Sequence, residues 1–152
     1  MELVKPYKDI AETMKYLLMQ VKESLSYADN FLPGNMNKND MQYLFDLLKA
    51  NTTYMLDGPD TELLQSMPTL FDNNYWGIRG AGDCDCFVIT VTACCIVLNA
   101  PCKIVLAGRS RKMPVHIYNL VKVNDTWQPF DLTADMLGVV RNYPHTQVIN
   151  LK

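Results

Sequence analysis

The sequence predicts an α+β fold: helices first, then a buried central helix, then an antiparallel sheet. Three observations carry this reading. Apolar residues recur at helical spacing through the first fifty positions. The segment Cys84 to Leu98 is apolar or small almost throughout. After Pro101 the chain reads as strands separated by turn residues. Helices and strands are segregated along the chain rather than alternating, which argues against a parallel α/β sheet.

The elements follow in order. Ile10, Met14, Leu17, Leu18, Val21 and Leu25 place one amphipathic helix from about Tyr7 to Ser26. Asp29-Asn30 and Pro33-Gly34-Asn35 break the pattern. Asn39 or Asp40 caps a second helix with Met41, Leu44, Phe45 and Leu48 on its apolar stripe. Asn51 to Pro59 reads as loop, Thr61 to Ser66 as a short helical turn capped by Thr61, and Pro68 to Gly82 as loop. The β-branched residues of Cys84 to Leu98 favour strand, but the segment outruns a typical strand, so it reads as a helix buried on all sides. Asn99-Ala100-Pro101 ends it.

Cys102 to Ala107 is then a strand, and Arg109-Ser110-Arg111-Lys112 a solvated basic connection. Val115 to Val123 and Thr126 to Leu132 are two strands joined by the turn pair Asn124-Asp125. Gln147 to Leu151 adds an edge strand.

Length and composition bound the rest. A chain of 152 residues is the size of one domain, spanning 1–152. Hydrophobic residues at 49% with charged residues at 20% exclude a disordered or coiled-coil chain. Lys plus Arg is 14 against 16 for Asp plus Glu, a net charge of −2, which argues against a phosphate-neutralising nucleic-acid binder. No run approaches the ~18 apolar residues of a membrane helix, and the first residues lack the apolar core of a signal peptide. The expected location is the cytoplasm, or a particle assembled there.

Five cysteines, at 84, 86, 94, 95 and 102, crowd into one short window. A disulfide framework would spread them along the chain. A zinc site would need a second spaced pair, and a helix points these thiols in different directions. No metal and no cofactor are therefore expected. Cys84 differs from the others in position. Gly82-Asp83-Cys84 makes Asp83 a helix cap and sets Cys84 in the first turn, where unpaired N–H groups and the helix dipole favour a thiolate and a developing oxyanion. Cys86 lies ~200° further around the helix and cannot share a histidine with Cys84. Cys94, Cys95 and Cys102 read as small buried hydrophobes.

The base must be one of two histidines, His116 or His145. His145 sits in a loop without pattern and receives no role. His116 is mid-strand, which alone suits a satisfied core histidine. A two-residue turn at Asn124-Asp125 changes that, because Tyr118 then opposes Asp131 and His116 opposes Thr133. His116 and Asp131 become diagonal neighbours on one face, ~7–8 Å apart at the backbone. A three-residue turn would put them on opposite faces. The arrangement predicts a Cys–His–Asp triad with Cys84 as nucleophile, His116 as base and acid, and Asp131 as orienter.

These residues resemble a family. Gly82-Asp83-Cys84-Asp85-Cys86-Phe87-Val88, Pro114-Val115-His116-Ile117-Tyr118 and Trp127-Gln128-Pro129-Phe130-Asp131-Leu132-Thr133 are similar to the motifs of the transglutaminase-like superfamily, which has the papain-like cysteine peptidase fold. The resemblance spans about Tyr75 to Thr133. It implies a helical part at 1–70, a catalytic core at 75–133 and a C-terminal extension at 134–152.

It also implies thiol acyl transfer on a protein or peptide substrate: hydrolysis of a peptide or isopeptide, deamidation, or cross-linking to an amine. The nearest flavour is that of small bacteriophage-encoded members, from which this chain departs at Cys86, where an acidic residue is usual. The family adds an oxyanion donor upstream of the nucleophile, for which Trp76 is the candidate through its indole N–H; an aromatic wedge under the loop is the alternative. A non-catalytic structural or interaction protein of a phage particle, in contact with other virion proteins, remains the alternative to an enzyme.

Overall fold

The computed structural model describes residues 2–4, 10–58, 62–110 and 113–151. The expected start of the first helix near Tyr7 lies outside them. Within them the elements run β1 (Glu2–Val4), α1 (Ile10–Phe31), α2 (Met41–Asn51), β2 (Thr53–Tyr54), β3 (Glu62–Leu64), α3 (Met67–Asp72), β4 (Ala81–Gly82), α4 (Cys84–Val97), β5 (Cys102–Ser110), β6 (Met113–Val123), β7 (Thr126–Phe130) and β8 (His145–Asn150). The architecture is α+β, as expected.

α4 is the axis of the core. Every residue from Cys86 to Cys95 is buried, so this stretch leaves no face for solvent, and only near the end of the helix does Ile96 become exposed. α1 covers one side through Met14, Leu17 and Val21, and the sheet covers another through Ile104, Ile117 and Val121. The sheet has the order β7-β6-β5-β8, and all its pairings are antiparallel. Phe130, at the end of β7, meets Phe45 of α2 edge-on at 5.2 Å between ring centroids.

The β6–β7 hairpin fixes the geometry that matters most. Val123 pairs with Thr126 and Asn119 with Phe130, the register of a two-residue turn. Asn124 and Asp125 have φ of 51° and 63°. Two consecutive positive φ values define a type I′ turn, whose twist matches that of the strands, and Asn and Asp tolerate this region.

Several sequence expectations need correction. α1 runs on through Asp29-Asn30 to Phe31, because its buried face continues through Ser24 and Ala28 and tertiary packing overrides two weak helix formers. The stretch expected as a helical turn at 61–66 instead contains strand β3 at Glu62–Leu64, paired antiparallel with β1; the expected cap, Thr61, lies outside the described residues. The stretch expected as loop from Pro68 contains α3, which Pro68 can open because the first helical turn needs no N–H there. β5 extends through Arg109 to Ser110, bulging near Gly108, while Arg111 and Lys112 lie outside the described residues. β7 stops at Phe130 instead of Leu132, and β8 opens at His145, pairing Gly108 with His145 at the sheet edge.

Candidate active site

Cys84 opens α4, and its position follows from local sequence. β2 and β4 form a two-residue parallel pair, Thr53 with Ala81 and Tyr54 with Gly82, joined by Met55 N–H to the Gly82 carbonyl at 2.7 Å. A Cβ at position 82 would lie 2.8 Å from Cys86 Cβ, so only glycine lets this strand end meet the first turn of α4. Asp83 has the extended backbone of an N-cap residue, and the Phe87 N–H donates to its carbonyl at 3.1 Å. Its side chain makes no capping hydrogen bond, contrary to expectation. The amides of Cys84, Asp85 and Cys86, ahead of that first helical hydrogen bond, have no carbonyl one turn back to donate to.

Cys84 and His116 line one cavity of about 330 Å³. The backbone N–H of Ile117, one residue beyond His116, faces the Cys84 sulfur. Across the hairpin, His116 Nε2 lies 2.6 Å from Asp131 Oδ2. The other carboxylate oxygen, Asp131 Oδ1, accepts from the Thr133 backbone N–H at 3.0 Å and from the Thr133 hydroxyl at 2.8 Å. Lys49 Nζ donates to the Leu132 carbonyl at 2.8 Å, which ties the chain beside Asp131 to α2. The imidazole stacks with Tyr118 at 5.9 Å and with Tyr143 at 5.6 Å, both nearly parallel.

The electrostatics are uneven. Burial alone would raise Asp131, but the hydrogen bonds and charge of His116 and the two Thr133 donors outweigh it and hold the carboxyl below its ordinary value. Cys84 moves the other way from the sequence expectation. Burial, then Asp85 and Asp83, push its thiol well above the ordinary value, against the opposing pull of the Ile117 N–H. The helix N-terminus does not overcome a low-dielectric site with two adjacent acids.

Those acids belong to a cluster that sequence reasoning missed. Asp57, Glu62 and Asp83 each place a carboxylate oxygen within 4.8 Å of the others. Burial and the neighbouring Asp57 push Asp83 up to about 8. Asp85 lies well above its ordinary value through burial and a hydrogen bond with Glu62. Asp57 is anchored by accepting the Leu63 N–H at 2.6 Å.

The remaining candidates sit apart. Cys86 is fully buried, its thiol donating to the Leu63 carbonyl at 3.1 Å. Cys94 and Cys95 are buried in α4. Trp76 does not line the cavity; its ring packs edge-on against Tyr75 at 5.1 Å, and its buried indole N–H has no partner among the described residues. His145 opens β8 and lies outside this cavity.

No family model and no curated protein sequence matches the chain. Among solved structures, it superposes on "a Putative Cysteine Protease from Cytophaga hutchinsonii" with a TM-score of 0.53 at 16% identity, covering 98% of this chain and 58% of that one. A structure described as a TGase aligns at a TM-score of 0.44 and 15% identity, covering 91% of this chain and 37% of that one. The fold is thus the transglutaminase-like, papain-like α+β fold. The chain spans a little over half the length of the first of these structures.

Proposed function

We propose that this protein is a thiol acyl-transfer enzyme in which Cys84, His116 and Asp131 act on the carbonyl of a protein or peptide. The observation that carries the proposal is the 2.6 Å contact of His116 Nε2 with Asp131 on the wall of the cavity that Cys84 also lines. An ionised carboxylate only accepts, so Nε2 carries the hydrogen and Nδ1 is left as the base. The Cys84 proton passes to Nδ1 as Sγ attacks the carbonyl carbon. The oxyanion develops beside the first-turn amides of α4, which have no helical carbonyl to donate to. The imidazolium then protonates the leaving amine, and a thioester on Cys84 remains. Water, or a second amine, completes the cycle by attack on that thioester.

The raised thiol shapes this chemistry. Burial and the neighbouring acids push the Cys84 thiol up, so in this reading His116 takes its proton as Sγ attacks. The same observation favours a second reading, a binding protein that keeps the fold without turnover. Thiol alkylation separates the two. With Cys84 as the nucleophile, iodoacetamide modifies Cys84 ahead of the buried Cys86, Cys94 and Cys95, and His116→Ala slows that modification at neutral pH. Uniform, slow labelling of all cysteines supports the binding protein.

A further inference from the structure

The helix-side wall of the cavity is chemically specialised beyond what acyl transfer requires. Asp57, Glu62, Asp83 and Asp85 all line it, and among the described residues no Lys or Arg does. Asp83 is only 6% exposed; its carboxyl meets Asp57 and the Cys86 N–H, and its buried Oδ1 is left without a hydrogen-bond partner. Unpaired buried carboxylate oxygens are costly and call for a cationic donor. Beside them the cavity carries aliphatic surface from Met14, Leu17 and Leu106. Acidic end, apolar flank and a volume of about 330 Å³ together suit a long side chain with a charged tip.

Resting on the acyl-transfer reading above, we infer that the substrate is a peptide whose lysine or arginine side chain inserts against Asp57, Glu62 and Asp83 while its own carbonyl is presented to Cys84. Cys84 and the four acids line the same cavity, so a substrate that reaches the thiol also meets the cluster. The cation belongs to the acyl donor, not to an attacking amine. Carboxylates that bind an ammonium hold it protonated, and an ammonium has no lone pair with which to attack a thioester. A bare divalent ion would use the three oxygens but leave the apolar flank without purpose.

The test separates binding from turnover. The Cys84→Ala protein is titrated by NMR with Nα-acetyl-arginine methylamide and with Nα-acetyl-norleucine methylamide, a neutral analogue with a similar stem. The arginine compound is expected to bind at least tenfold tighter, and Asp57→Asn or Glu62→Gln to erase most of that difference. The amide introduced by Asp57→Asn keeps an oxygen for the Leu63 N–H, which protects the fold. Equal binding of the two compounds overturns the inference, as does calcium binding at the cluster without arginine selectivity.

Wild-type protein is then given fluorogenic peptides with Arg, Lys, Gln or Leu before the scissile bond. The basic peptides are expected to show at least a tenfold advantage in kcat/KM. Selective arginine binding with no cleavage of any peptide would keep the cationic pocket and defeat the acyl-transfer reading. Cleavage without preference for basic peptides would do the reverse.

Discussion

On the sheet side, behind the cavity-lining His116, Asp131 has a partner for each oxygen: His116 on one, Thr133 twice on the other. On the helix side four acids crowd together, and buried oxygens of Asp57 and Asp83 have no partner. Both walls desolvate their carboxyls. The outcome differs because donors outnumber acids around Asp131, whereas on the other wall acids outnumber donors such as the Leu63 N–H on Asp57. Asp131 falls below its ordinary value while Asp83 rises to about 8. Burial alone therefore does not set the protonation state of a site; the balance of donors against like charges does. The sheet wall is arranged to hold a charge permanently, and the helix wall to receive one.

Changes that break this contrast rank by expected effect. Cys84→Ala removes the thiol between the walls and is expected to abolish both selective alkylation and any acyl transfer, whereas Cys86→Ala leaves selective alkylation intact; mass-spectrometric assignment of the modified residue checks both. Asp131→Asn forfeits the ionised acceptor that fixes the imidazole tautomer. It should lower kcat/KM on the order of 10²- to 10⁴-fold, with melting temperature changing far less; a collapse in melting temperature instead would make Asp131 a structural residue.

The helix wall gives the opposite sign in stability. Asp83 has a folded value above its unfolded one, so its stabilising protonation is complete below about pH 4 and is lost as pH rises toward about 8. Asp131 has a depressed folded value, so its contribution is present above about pH 4 and is lost on further acidification. Melting temperature should therefore fall between pH 5 and 8. Asp83→Asn should flatten that fall and raise the melting temperature at pH 7 by roughly 3–10 °C, for a gain of order 1–3 kcal/mol. A pH scan by calorimetry on both proteins reads this directly. The smallest effect belongs to Tyr143→Leu. Losing one stacked ring of about 0.5–1.5 kcal/mol should loosen His116 and cost activity a few-fold, with little change in the fold.

The sequence revealed the sheet wall more fully than the helix wall. Asn124-Asp125 announces a two-residue turn, and turn length fixes register, so His116 and Asp131 could be set on one face from spacing alone. Tyr118, two residues from His116 on the same strand, was legible by the same periodicity. Thr133 was legible only as part of a motif. Tyr143 was not legible, because a loop residue beyond the hairpin carries no periodic signal.

The helix wall depends on contacts across distance. Asp57 follows β2, whose two-residue parallel pairing with β4 brings it to the start of α4, and Glu62 comes from β3, which packs against α4. So short a strand leaves no alternation to read. The upward push on the Cys84 thiol comes first from burial, which spacing along the chain does not show, although Asp85 and Asp83 stand beside it in the sequence. Among the described residues no helix is long and apolar enough to cross a membrane, in keeping with the hydropathy of the chain.

The central claim is that His116, held by Asp131, removes the proton of Cys84. The measurement that tests it most directly is the rate of Cys84 alkylation by iodoacetamide from pH 5 to 10, in wild-type and His116→Ala proteins. Wild-type Cys84 should react at least tenfold faster than the variant at pH 7, with the two rates converging at alkaline pH. Superimposable pH profiles would remove His116 from the site and contradict the triad.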